Sequence, residues 1–320
     1  MLPADPPLNR TAVVIANPHA RRAIELDMLD DAANAMRARG WCVDIEVAHN
    51  GSDARARAER HARAGIGALL ACGGDGTLRS LLDGVRAAGD DTPTAIGQVP
   101  AGTANVWAAE ARIPHDPARA LALLEHGDRR RIDLGVARIG EGDAVRFLLV
   151  CGIGMDAAVV EAVERHPRWK RRLGRAAFGL PALAALVRWP AADARVECDG
   201  VEEHASQLLL ALTSNTGRYG GVAALTQHTA FDDGLLEVTT FEGTSLASRG
   251  ALVLQALRSH LDERAVHGVS HRQAARVTIT PSCTLPVEVD GESLGRCGPD
   301  APLHIEVEPR AVTMIFGAGS

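Results

Sequence analysis

The segment Cys72-Gly73-Gly74-Asp75-Gly76-Thr77-Leu78 constrains the fold of this chain more than any other stretch. An apolar run over 66–71 precedes it and reads as a buried strand, and a helical pattern over 78–88 follows it. Glycines at a strand-to-helix junction let the backbone turn tightly and let a ligand approach without Cβ atoms in the way. The loop N–H groups and the start of the helix then form an anion site. A carboxylate inside such a loop repels phosphate unless a divalent cation bridges the two, so Asp75 reads as a residue that orients hydrated Mg2+. An ordinary Gly-rich turn is the plainer alternative for this motif taken alone.

The surrounding pattern alternates. Strands are expected over 11–16, 42–48, 66–72 and 94–99, with helices over 24–39, 52–64, 78–88 and 116–125. That spacing implies a mainly parallel sheet with helices on both faces. Ligands of such sheets sit beyond the carboxyl ends of the strands. Asn17-Pro18 and the Gly loop both fall at strand ends and so can share one crevice. After Asp128-Arg129-Arg130-Arg131, strand-like pieces dominate, over 132–139, 144–151, 195–198, 207–213, 235–240, 275–280, 286–289 and 303–307. Two helical stretches, within 168–189 and over 245–261, interrupt them. The expected fold is α/β plus β: a mainly parallel α/β domain over 10–128 and a β-rich domain over 129–320.

Composition removes several function classes. A net charge of -6 argues against a general nucleic-acid binder, which is normally basic. The six cysteines are scattered without a CxxC pair, so no zinc framework is read, and the twelve histidines form no HExxH pattern. Ser214 and Ser293 lack the partners of a hydrolase triad. No stretch approaches the roughly 20 apolar residues of a membrane span. The Pro-rich start lacks a basic region followed by an apolar run, so a short tail is expected there and a cytoplasmic protein overall. Aromatic residues make up only 3%, which leaves the cores to Ala, Val, Leu and Ile.

A second loop, Pro100-Ala101-Gly102-Thr103-Ala104-Asn105, again follows a strand and opens a helix. Together with Gly73-Gly74-Asp75-Gly76-Thr77 it resembles the diacylglycerol kinase catalytic-domain family, which includes bacterial lipid kinases and sphingosine kinases. The resemblance continues through Ile132-Asp133-Leu134-Gly135, Cys151-Gly152-Ile153-Gly154-Met155-Asp156, Ser214-Asn215-Thr216-Gly217, Asp232-Asp233-Gly234-Leu235 and Val289-Asp290-Gly291-Glu292. It implies that ATP phosphates bind at Asn17, Pro18, Gly73, Gly74, Asp75, Gly76, Thr77, Gly102 and Thr103, with Mg2+ as the metal. It also implies that a carboxylate of Asp290-Gly291-Glu292, either Asp290 or Glu292, takes the proton of the acceptor hydroxyl. The turn around Ala230, Asp233 and Leu235 resembles a structural divalent-cation site made of one carboxylate and two main-chain carbonyls.

The activity implied is ATP-dependent phosphorylation of a lipid hydroxyl, with nucleotide on the first domain, acceptor on the second and catalysis in the cleft between. A homodimer is left open. The segment Arg168-Trp169-Lys170-Arg171-Arg172-Leu173 to Trp189 has clustered cations and flanking Trp residues, which suits either docking on anionic lipid at the inner membrane face or a helix with a solvated outer face. This chain departs from the family at Ala20, Arg21, Arg79 and Val106. Two rivals follow: a small-molecule kinase of the NAD kinase type, which shares the Gly loop, and a nucleotide- or lipid-binding protein with impaired catalysis.

Overall fold

A computed structural model describes residues 9–18, 26–90, 92–165, 189–216, 218–219, 223–224, 230–243 and 268–317. These fall into two compact units, one built from residues up to Ile132 and from Ala311 onward, the other from within Asp133–Arg310. The expected helix over 245–261 and nearly all of the basic segment 168–189 lie outside the described residues.

In the first unit, β1 (Thr11–Ala16), β3 (Ala68–Gly73) and β4 (Ala95–Pro100) are almost continuous buried runs. Strands of that kind are covered on both faces, which suits a parallel sheet. β2 (Cys42–Val47) alternates in burial and forms the edge. The order β2-β1-β3-β4 is parallel throughout, with Ala12 opposite both Val43 and Ala68. Beyond β4, Thr313 and Met314 lie parallel to Ala95 and Ile96, so the end of the described chain extends the same sheet.

The helices of this unit are α1 (Leu26–Arg37), α2 (Gly51–Arg63), α3 (Asp75–Ala88), α4 (Val106–Glu110) and α5 (Pro117–His126). Asn50 caps α2 by accepting the Asp53 N–H at 2.8 Å. Ala54, Ala58 and Ala62 form the buried stripe of α2, which packs on α3 through side chains small enough for close approach. One boundary differs instructively from the sequence expectation. α3 starts at Asp75 and not at Leu78, because Gly74 is its N-cap and the Gly74 carbonyl accepts from Thr77 and Leu78 at 3.0 and 3.1 Å. The Asp-Gly-Thr of the loop is therefore the first helical turn, where an acidic residue complements the helix dipole.

The second unit is antiparallel. Its strands run from the latter part of β5 (Asp128–Ile139) through β6 (Val145–Phe147), β7 (Val150–Gly154), β8 (Ala192–Cys198) and β9 (Val201–Ser214). They continue with the short pair β10 (Arg218–Tyr219) and β11 (Ala223–Ala224), then β12 (Leu236–Glu242), β13 (Val269–Ala274), β14 (Arg276–Pro281), β15 (Leu285–Val289), β16 (Glu292–Cys297) and the first part of β17 (Leu303–Phe316). α6 (Met155–Glu164) follows β7 directly. The main order is β16-β15-β7-β9-β8-β14-β17, with β12 joining β9 to β13. β9 serves two neighbourhoods: its first half pairs with β8 and its second half with β7 and β12. Between them Gln207 has φ 57 and donates its N–H to Asp193 at 3.0 Å, the kind of kink by which one strand changes sheets.

The strand expected over 144–151 is broken at Leu148-Leu149. The amides of Leu148, Leu149 and Val150 turn to the Asp290 carboxylate at 2.9–3.0 Å. α6, β13 and β16 are additions to the expected elements.

Asp133, the residue with which this unit begins, is 0% exposed. Its carboxylate accepts from the Gly234 N–H at 2.7 Å and the Arg310 N–H at 2.6 Å, while its carbonyl accepts from Asn215 Nδ2 at 2.7 Å. Asp133→Ala removes the acceptor of the Gly234 and Arg310 amides from a buried position and is expected to destabilise the unit by on the order of 2 kcal/mol. Chemical denaturation of the purified variant checks this; an unchanged midpoint would show that solvent replaces the carboxylate.

Candidate active site

The sheet order of the first unit reverses between β1 and β3: the chain moves outward from β1 to β2, then returns to the other side of β1. At such a switch point the loops beyond the carboxyl ends part and leave a crevice. Asn17, just after β1, donates its N–H to the Cys72 carbonyl at 3.0 Å and its Nδ2 to the Thr77 hydroxyl at 3.3 Å. Thr77 is buried beneath Gly73, so its hydroxyl supports the loop from below. Pro18 is exposed beside it, and the continuation through Ala20 and Arg21 lies outside the described residues.

The two glycine loops touch backbone to backbone. The Ala101 N–H donates to the Gly73 carbonyl at 3.0 Å, and a Cβ on Gly102 would stand 2.3 Å from Gly74 Cα. No other residue fits Gly102 without moving the first loop. Asn105 fixes the second loop from within: at φ 48, its Oδ1 accepts the Gly102 N–H at 2.9 Å and its Nδ2 donates to the Gly102 carbonyl at 3.0 Å. Above this tight base the site is open. Gly76 and Thr103 are exposed, and nothing lies within 4 Å of a Cβ position on Gly76. An open helix start over packed glycines fits a phosphate chain.

Asp75 has a task the sequence did not disclose. Its Oδ2 accepts the Val106 N–H at 3.1 Å and its Oδ1 the Trp107 N–H at 3.2 Å. The carboxylate thus caps α4 from the first turn of α3 and ties the two loops together. Val106, a departure in side chain, takes part through its backbone.

In the second unit Asp290 and Gly291 form the two-residue turn between β15 and β16, with φ 50 and 81. Both residues in the left-handed region make the turn that suits a tight hairpin, and Asp-Gly is its usual sequence. Asp290 accepts from Leu148, Leu149 and Val150 and returns its own N–H to the Val150 carbonyl at 2.9 Å. Glu292 follows at the exposed start of β16. The two acids therefore differ in setting, one bound by backbone amides and one at the surface.

The turn expected to hold a cation places Ala230 and Asp233 at the surface and Leu235 half-buried. Asp233 Oδ1 accepts the Leu235 N–H at 3.0 Å. Burial pushes the Asp233 carboxyl up; the Leu235 amide opposes this, and the charges of Asp133 and Glu237 add to the rise. A hard cation suits such an electronegative turn. Among the described residues no group of three or more His, Cys, Asp or Glu is placed to hold a metal.

Asn105, Asn215 and Glu288 are site-supporting residues that sequence reasoning gave no role. The available signals were an Asn at a loop-to-helix junction, where φ > 0 is tolerated, and an acid inside the apolar strand Val287-Glu288-Val289.

The segments that carry the glycine crevice and the Asp-Gly-Glu hairpin match domains of lipid kinases, a class of phosphotransferase. Residues 11–137 match the diacylglycerol kinase catalytic domain, and residues 150–316 match the YegS C-terminal NAD kinase beta sandwich-like domain. The chain belongs to the diacylglycerol kinase catalytic-domain family. A probable lipid kinase YegS-like protein of Pseudomonas putida is 32% identical over 303 residues, covering 94% of each chain. A diacylglycerol kinase of Staphylococcus aureus is 26% identical over 290 residues, covering 90% of this chain and 88% of its own. The fold matches a crystal structure of a putative diacylglycerol kinase from Bacillus anthracis with a TM-score of 0.73 at 20% identity, covering 96% and 97% of the two chains.

Two substitutions probe the crevice. If the crevice takes ATP, Gly102→Val is expected to weaken its binding at least about tenfold, because a side chain there must push the loops apart; calorimetry giving wild-type affinity would remove Gly102 from any nucleotide site. Asp75→Ala is expected to cost about 2 kcal/mol or more of stability through the stranded α4 amides, in addition to any loss of turnover. A melting curve superimposable on wild type would show that the α4 cap is dispensable.

Proposed function

We propose that this chain is an ATP-dependent lipid kinase that transfers the γ-phosphate of ATP to the hydroxyl of diacylglycerol or a related lipid. The observation that carries the proposal is the convergence of Asn17, Gly73-Gly74 and Gly102 at the point where the strand order reverses, beside the open start of α3. ATP is assigned to the first unit and the acceptor to the second. The loop amides and the α3 N-terminus bind the phosphates, Thr103 adds a hydroxyl donor, and Asp75 holds α4 and the loops in register. Mg2+, held with the phosphates near Asp75, would supply neutralisation of their charge. Phosphoryl transfer asks the protein for positioning and electrostatics more than covalent help. That demand suits a site made of loops.

Glu292 is assigned as general base. It takes the acceptor proton as the hydroxyl oxygen bonds the γ-phosphorus and the bond to ADP breaks. Asp290, bound by three amides, is assigned the anchoring role. The cation turn at Ala230, Asp233 and Leu235 is proposed as a structural site. Docking of 168–189 on anionic membranes rests on the sequence pattern; among the described residues no helix is long and apolar enough to cross a membrane. A second reading, a nucleotide acceptor, draws on the NAD kinase-like description of the domain matched by residues 150–316.

The test is labelled ATP with Mg2+, offered with a lipid panel and, separately, NAD. Label in lipid supports the proposal, label in NAD supports the second reading, and label in neither rejects both. With the accepted lipid, Glu292→Gln should lower kcat by about 10²–10⁴-fold with ATP affinity and melting temperature little changed. Asp290→Asn should instead lower the melting temperature. The reverse pattern would exchange the two roles.

A further inference from the structure

Beneath the Asp290-Gly291 turn lies a pair of acids that the proposed chemistry does not use. Glu288 of β15 is 1% exposed, and its Oε2 accepts the Gly291 N–H at 2.7 Å. Its Oε1 sits over Gly152 of β7, where Asp156 in the first turn of α6 also brings an oxygen. A Cβ on Gly152 would stand 2.8 Å from Glu288 Oε1 and 2.6 Å from Asp156 Oδ2, so the missing side chain makes the room in which the two acids meet. Both acids thus bring a carboxyl oxygen into the same small space over Gly152. Two ionised carboxylates brought together have no donor between them and repel, whereas a proton on one lets it donate to the other.

The surroundings favour keeping it. From β7 the pair faces Cys151, and from the turn it faces Asp290, whose charge adds to the cost of ionising Glu288. On β16 stand Glu292 and Arg296; farther along α6 stand Glu161, Glu164 and Arg165. Arg296 and Arg165 bond Glu161 at 2.8 and 3.5 Å, and Glu164 accepts the Ser293 N–H at 3.2 Å. Burial pushes Asp156 up to about 6, with the bond from Glu288 holding it back. Burial, and then the charge of Asp156, push Glu288 well above the usual carboxylate range.

We propose that Asp156 and Glu288 form a one-proton carboxyl pair that holds the Asp290-Gly291-Glu292 turn through the Gly291 N–H, and that losing this proton loosens the turn that sets Glu292. Both are positioning residues. The effect on turnover rests on the kinase reading above; the pair itself does not.

The sign follows from proton counting. Both acids bind protons more tightly in the folded chain, so the folded state holds more protons than the unfolded one from the ordinary carboxylate range upward. Stability is therefore greatest at the acid end of that window and falls as pH rises through about 6 and beyond.

The experiment is a set of melting profiles from about pH 5 to about pH 8 for wild type, Glu288→Gln and Asp156→Asn, joined to kcat over the same range. Gln at 288 can accept the Gly291 N–H and donate to Asp156 without a titrating proton, and Asn at 156 can donate to Glu288. Wild type should lose melting temperature as pH rises, and both variants should show a flatter profile. Profiles parallel to wild type in both variants would overturn the pair. At saturating ATP and lipid, wild-type kcat should fall about tenfold per pH unit above the pair's apparent pKa while KM for ATP stays constant, and Glu288→Gln should lack that limb. An unchanged alkaline limb in Glu288→Gln would overturn the positioning role even if the melting profiles separate. Absence of turnover in every protein would count against the kinase reading, while the melting profiles would still decide the pair.

Discussion

The fold of each unit depends on carboxylates that bind backbone amides far away in sequence. Asp75 accepts from Val106 and Trp107, Asp133 from Gly234 and Arg310, and Asp290 from Leu148 to Val150. A charge-assisted bond to an N–H is stronger than a neutral one, and a buried amide left without an acceptor costs about 1–3 kcal/mol. A short acid in a loop is therefore an economical way to fix irregular backbone.

This changes how the motifs read chemically. An acid in a phosphate loop suggests a cation, and an acid in an Asp-Gly-Glu turn suggests a base. The geometry assigns at least part of both roles to structure. Asp75 keeps the two glycine loops in contact, which suits the phosphate cradle proposed for them. Asp290 shapes the turn that carries Glu292, and Glu288 holds that turn from the other side through Gly291. Preorganisation of this kind is what a phosphoryl-transfer site needs, since its donors must already point where charge develops.

Much of this was legible in the sequence. The parallel unit announced itself because three of its strands are unbroken apolar runs and helical patterns separate them. The glycine loops and the Asp-Gly turn were readable because few residues tolerate those backbone conformations. The long-range bonds were not legible. Nothing in Asp133 signals that its partners are 101 and 177 residues downstream. The break at Leu148-Leu149 was hidden for the same reason: an apolar run looks like one strand until a distant carboxylate takes its amides. α6 was missed because Met155-Asp156-Ala157-Ala158-Val159-Val160 is as apolar and β-branched as a strand. The switch point itself needed strand order, which periodicity does not contain.

The departure at Val106 shows which part of that residue the loop contact uses. The side chain at this position, Val106, is one of the departures from the family resemblance. In the structure the contact at 106 is made by the backbone N–H, bonded to Asp75 at 3.1 Å, while the valine side chain is buried in the unit with Trp107 and Ala108. An N–H is supplied by any residue except proline. The side chain at 106 can therefore change without loosening the bond that joins the loops. Asp75 has no such freedom, because only a side chain with two acceptor oxygens at that distance can satisfy both amides at the start of α4.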